Sequence, residues 1–164
     1  MRMFFSNASN PVKVLLFVGL LISPWLFTQV GIAILAPDED IESMPNCESN
    51  SGNCAHLGGG ENYRMNTSLP TQIDINSSQA WDVISQYIDE SNSNILVESG
   101  NGINFYVHFV EKTSFWKFPD DVIIQISGNE EGCIIEMHSE SRLGWGDVGV
   151  NPNRINKIHE LLVE

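Results

Sequence analysis

The architecture turns on how "GWGDVG", residues 144–149, is read. It spells G-x-G-x-x-G after an apolar run beginning at Cys133, and a segment with helical spacing follows it. As a dinucleotide-binding turn it would need a strand–turn–helix–strand unit and an acidic residue about 20 positions further on. Here 15 residues follow Gly149, with no second parallel strand among them. Asp147 would also set a carboxylate where a pyrophosphate must approach the helix N-terminus. The stretch therefore reads as the turn between the last strand and the last helix, and neither a nucleotide nor any other cofactor is expected.

Beyond the turn, Asn151 suits an N-cap and Pro152 the first helical position. Ile155, Ile158 and Leu162 then share one face. Arg154 stands out, because a cation in the first turn opposes the helix dipole and calls for a carboxylate nearby. Asp147 is the candidate partner, with Asp120 and Asp121 behind it, and Arg142 offers a second guanidinium. Two readings follow: a salt-bridged clasp that fixes the terminal helix, or a small polar pocket lined by Asp121, Arg142, Asp147 and Arg154. The candidate site residues are thus Asp120, Asp121, Arg142, Asp147, Asn151 and Arg154. Neighbouring strand residues point oppositely, so one aspartate of the pair should face the clasp and the other solvent.

Upstream, "TQIDI" (71–75) reads as a short strand and "NSSQAWDVISQYIDE" (76–90) as a helix. Ser77 or Ser78 would cap that helix, Asp82 would sit in its first turn, and Ala80, Ile84, Tyr87 and Ile88 would form its apolar face. In residues 94–112, Asn101-Gly102 suits the positive φ angles of a tight hairpin. Ile103, Phe105, Val107 and Phe109 alternate beyond it, which leaves His108 on the opposite, solvated face. "DDVIIQIS" and "CIIEMHSES" form a second hairpin across "GNEEG". Strand, helix, two antiparallel hairpins and helix make an α+β fold: an antiparallel sheet of about five strands with two packed helices.

Residues 14–36 form an apolar run of 23 residues. As a helix it is about 35 Å long, enough to cross a bilayer core of about 30 Å. Arg2 and Lys13 precede it and "PDEDIE" follows, which predicts a cytoplasmic N-terminus and an extracytoplasmic body. Secretion after signal cleavage near Gly31 and Ala33 is the alternative. The chain divides into residues 1–13, the anchor 14–36, a polar linker 37–69 whose most flexible part is "HLGGGEN", and a domain over 70–164. All 21 acidic residues follow the anchor, against six basic ones. A body of about −15 excludes nucleic acid as a partner; membrane lipid around the anchor and a membrane-protein partner remain.

Cys47 and Cys54 bracket a Gly- and Asn-bearing loop. Outside the cytoplasm a disulfide between them is favoured; free thiols, or a zinc site shared with His56, are the alternatives. Cys133 reads as a buried hydrophobe. His138, Ser139 and Ser141 lie together, but strand alternation keeps His138 from the serine beside it. No catalytic nucleophile motif is present.

The segment "SESRLGWGDVGVNPNRI" resembles the C-terminal signature of the family catalogued as domain of unknown function 1499. That signature runs S-x-S-R-x-G-x-x-D-x-G-x-N-x-x-R-I, which Ser139, Ser141, Arg142, Gly144, Asp147, Gly149, Asn151, Arg154 and Ile155 fit position by position. "FPDDVIIQI" and "NCESNSGNCAH" are similar to the family's aspartate pair and its cysteine-bearing entry segment. His138 departs from the arginine typical of the family. The resemblance implies a membrane-associated domain of bacteria and plastids with no established biochemical activity. Three functions are therefore carried forward: a membrane-anchored binding or scaffolding module, a hydrolase using the Asp/Arg cluster, and a lipid-handling domain of helix-grip type.

Overall fold

The structure, a computed structural model, describes residues 9–60, 62–128 and 132–164. Helix α1 (Asn10–Leu35) is apolar on all sides and leaves its aliphatic side chains exposed. It is long and apolar enough to cross a membrane, and is the single N-terminal span of the described residues. It continues through Pro24, whose missing N–H frees the Leu20 carbonyl. Ser23 Oγ donates to that oxygen at 3.0 Å. Arg2 and the rest of residues 1–8 lie outside the described residues.

The body is α+β. Strands β1 (Cys54–Leu57), β2 (Gln72–Ile73), β3 (Asn94–Gly100), β4 (Asn104–Lys112), β5 (Pro119–Gly128) and β6 (Cys133–Ser141) form one six-stranded antiparallel sheet. Its order is β1-β6-β5-β4-β3, with β2 also paired to β6. Helices α2 (Ser77–Ser91) and α3 (Val150–Val163) pack on one face. Ile84, Ile88, Ile155, Ile158 and Leu162 meet Val107, Phe109, Val122, Ile124 and Met137 there, all essentially removed from water. Each such side chain stabilises the fold by about 1.5–3 kcal/mol, so the terminal helix is held chiefly by this apolar contact.

Several sequence expectations need correction. The sheet has six strands because one of them, β1, lies inside the segment expected to be a polar tether. Residues 54–57 are buried and pair with β6 in register Cys54↔Glu140 to Leu57↔Met137. The flexibility expected of "HLGGGEN" does not extend to His56 and Leu57, and Gly58 lies so close to β6 that an added Cβ would meet the Ile135 carbonyl at 2.9 Å. Glu61 and residues 129–131, the centre of the expected "GNEEG" turn, lie outside the described residues.

The cap of α2 is Asn76, one residue before the expected serines. Its side chain accepts from the Gln79 N–H while Gln79 Oε1 accepts from the Asn76 N–H, a reciprocal capping box. Asp82 accordingly lies in the second turn. At the β3–β4 hairpin only Gly102 has positive φ; the Asn101 side chain accepts from the N–H groups of Ile103 and Asn104. Helix α3 begins at Val150 with Gly149 (φ 85°) as N-cap, so Asn151 is not the cap. Two carboxylate oxygens of Asp147 accept from the N–H groups of Gly149 and Asn151 at 2.9 and 3.1 Å and serve the helix start instead.

Candidate functional site

The six candidate residues all gather at one end of the sheet, yet they do not form one pocket. They resolve into three ion-pair knots distributed over both faces.

The first knot lies between sheet and helices. Register places Glu111, Asp120 and Ser141 side by side on the helix-facing side of β4, β5 and β6. Arg154 reaches down from α3 and donates through Nη2 to Asp120 Oδ2 at 2.7 Å. Its Nη1 donates to Ser139 Oγ at 2.8 Å and to Asn151 Oδ1 at 2.7 Å. Asn151 turns its amide to the Asn53 carbonyl and to Ser141 Oγ. Arg154 Nε lies 3.2 Å from Glu111 Oε2, without hydrogen-bond alignment, and Tyr87 donates to that same oxygen at 2.8 Å. Arg154 and Asp120 are 6% and 1% exposed, so this pair sits in a region of low dielectric. Burial and then Glu111 raise the Tyr87 hydroxyl above its ordinary value.

The second knot occupies the other face. Arg142 makes a two-pronged contact with Asp121, Nε to Oδ2 at 2.8 Å and Nη2 to Oδ1 at 2.7 Å. Its Nη1 reaches the segment leaving α1, at Asp38 Oδ1 (2.7 Å) and the Pro37 carbonyl (2.9 Å). His108 Nε2 bonds Asp121 Oδ1 at 2.7 Å, and His108 Nδ1 accepts from the Ile41 N–H. The expected solvated His108 is therefore fully buried, because residues 36–42 fold back over this face. Burial pulls the Asp121 carboxyl upward, but the Arg142 and His108 hydrogen bonds outweigh it and hold the group below its usual range. Of the aspartate pair, Asp120 is buried, while Asp121 is ion-paired on the opposite face and 14% exposed.

The third knot joins Asp147 to Arg64 rather than to Arg154. Arg64 donates from Nη1 and Nη2 to the two carboxylate oxygens at 3.1 and 2.7 Å, and from Nη1 to the Gly52 and Cys54 carbonyls. Against the upward pull of burial, Arg64 and the helix N–H groups hold the Asp147 carboxyl low. The glycines of the 144–149 turn now have separate roles. Gly144 and Gly149 adopt positive φ, and Gly146 pairs with Gly52, where any side chain on Gly52 would strike the Trp145 carbonyl. Arg64 had no visible signal in the sequence beyond its charge.

A further cluster lies across β1 and β6. Cys47 and Cys54 are joined by a disulfide. His138 Nε2 lies 3.6 Å from Cys54 Sγ, and His138 Nδ1 lies 3.3 Å from His56 Nδ1. Glu136 and Glu140 stand beyond His56 and His138 at 3.3 and 3.5 Å. Burial first, and then His138, lower the His56 pKa. The sulfurs of Cys47 and Cys54 and a His138 nitrogen lie within 4.8 Å of one another, close enough for metal ligation. Thiolates are the metal-binding form, and here both sulfurs are bonded to each other.

Two open clefts lie on the body, one beside these features and one away from them. One of about 370 Å³ lies over the second knot, lined by Asn53, Asp121, Glu140 and Arg142 with Pro37 and Ile41. The larger, about 560 Å³, lies at the opposite end of the sheet, where Ser99, Asn104, Phe105, Tyr106, Gln125 and Ser127 line it without a single charge.

The residues of the 139–155 signature are thus those that build the first and third knots, together with the strap from Arg142 to the anchor. A comparison with curated proteins finds no match. The comparison with protein families matches residues 39–162 to the one described as Protein of unknown function (DUF1499), and the chain belongs to that family.

Proposed function

We propose that the chain is a membrane-mounted binding or scaffolding module with its body outside the cytoplasm. Asp120, Asp121, Arg142, Asp147, Asn151 and Arg154 act in it as a structural clasp. The observation that carries this reading is the closure of the three knots: Arg64, Arg142 and Arg154 each engage a largely buried carboxylate, Asp147, Asp121 and Asp120, at 2.7 Å. A general base needs a free lone pair within reach of substrate, which weighs against the hydrolase reading. Lipid handling in a helix-gripped groove finds little support, since α2 and α3 fill the face such a groove would occupy. The disulfide favours an oxidising compartment, in line with the basic residues before α1 and the acidic ones after it.

Recognition falls to the uncharged cleft at the end of the sheet away from α1. Tyr106 and Phe105 supply apolar surface, and Asn104, Gln125 and Ser127 supply hydrogen-bond donors and acceptors. That combination suits a neutral polar segment of a membrane-protein partner. A photo-crosslinking side chain at Gln125, in the full chain in its native membrane, should give one discrete adduct by mass spectrometry. The same probe at exposed Glu160 on α3 should not. No adduct at Gln125, or the same products at both positions, would remove the cleft as the binding surface.

A further inference from the structure

The body is strongly acidic, and its six basic residues are distributed unevenly. Arg64, Arg142 and Arg154 are held by carboxylates, and Lys157 lies over the Tyr87 ring at 5.1 Å. Lys112 and Lys117 are exposed and, among the described residues, take part in no ion pair. Lys112 ends β4 and Lys117 lies within the β4–β5 connection, whose tip leaves Phe115 66% and Trp116 41% exposed.

That connection is tied to α1. Trp25 Nε1 donates to the Phe115 carbonyl at 3.0 Å, and Gln29 Nε2 donates to the Trp116 carbonyl at 2.8 Å. Trp25 precedes the end of α1 by ten residues, about 15 Å along the axis, which is roughly half of a bilayer core. A helix that crosses the bilayer therefore carries the loop tip down into the leaflet on the body's side. The lysines stand higher, where they line a cleft of about 330 Å³ with Gln29, Ala33, Ala36 and Asp38, the last already bound by Arg142. Aromatic rings below ammonium groups match the layering of a membrane interface. The turn at 144–149 leaves the same end of the sheet, and its Trp145 is 96% exposed. Every exposed Phe or Trp of the described body thus lies at the end where α1 joins.

We propose that the β4–β5 connection is a second membrane contact, with Phe115 and Trp116 seated in the leaflet and Lys112 and Lys117 on the phosphates of anionic lipid. The contact locks the body at a fixed height and tilt on its anchor. It rests on α1 crossing the bilayer and holds for either orientation of the chain.

The test uses the full chain in nanodiscs of phosphatidylcholine with or without phosphatidylglycerol. Single substitutions F115C, I103C at the opposite sheet end, and G19C within α1 are labelled with a charged maleimide. Cys133 is buried and the other two cysteines are bonded, so the introduced thiol reports alone. Phe115 is more exposed in the protein than Ile103 (53%), so slower labelling there runs against its exposure in the protein, and its dependence on the lipid assigns it to the membrane. Labelling of F115C is expected about tenfold slower than I103C with phosphatidylglycerol present. The gap should narrow without that lipid or on adding K112Q and K117Q. Equal rates at Phe115 and Ile103 overturn the proposal. Protection indifferent to lipid charge and to both lysine changes overturns the lysine–phosphate contact, and rapid labelling of G19C overturns the bilayer crossing on which all of it depends.

Discussion

At Arg154, which lies in the second turn of α3 and not in the expected first because the helix starts at Val150, a guanidinium still faces the positive end of the dipole and is kept there by a buried partner. Removing one member of a buried pair leaves the other charge uncompensated, at about 3–5 kcal/mol. Arg154→Ala should lower the stability of the detergent-solubilised chain by that amount in urea unfolding, with Asp120 stranded at 1% exposure. Adding Asp120→Ala should recover part of the loss, because the double variant strands no charge. Additive losses in the two variants would mean that the pair does not act as a unit. The need for a partner at Arg154 was legible in the sequence, but its identity was not. Asp147 was the expectation and Asp120 is the finding, since alternation says that Asp120 and Asp121 face opposite ways without saying which of them faces α3. That choice is made by the register Asp120↔Ser141 and by the seating of α3 above it.

Among the elements, β1 departs furthest from its sequence. Four residues in a polar, glycine-rich stretch become a fully buried edge strand, held by pairing to β6 and by the Cys47–Cys54 bond just before it. A bridge across a sequence separation of 7 removes loop entropy from the unfolded chain equivalent to about 2–3 kcal/mol. Reduction by a dithiol, or the paired change Cys47→Ala and Cys54→Ala, should cost that much in urea unfolding. It should also raise hydrogen exchange first at residues 54–57. Uniform exchange with no preference for β1 would show that the bond does not hold this strand. A short strand surrounded by Asn, Ser and Gly carries too little periodicity to be read alone; its burial comes from the partner strand. The amphipathic helices α2 and α3 were readable because their apolar faces repeat over several turns.

For the molecule as a whole, acid is the informative perturbation. The Asp121 and Asp147 carboxyls are held below the ordinary range, so each contributes stability that is full above about pH 4 and is lost as pH falls through its depressed folded value. His56 acts earlier: its lowered pKa makes the unfolded chain take up the proton first, and stability begins to decline below about pH 6.5. Urea midpoints should therefore be level above about pH 7, fall gently from there, and drop more steeply below about pH 4. Asp121→Asn with Asp147→Asn should be less stable at neutral pH and should flatten the acid limb; an unchanged limb would mean that these groups do not set it. Legible along the chain alone were the α+β class, the apolar span and the apolar faces of the two body helices. Each of these is written in local periodicity, length or spacing along the chain. Which carboxylate meets which arginine, the burial of His108 and the run of the anchor beside the β4–β5 connection came from the folded chain. Those are meetings between groups as many as 106 residues apart, as at Arg142 and the Ala36 carbonyl, and they depend on strand register and on which segment covers the sheet's second face.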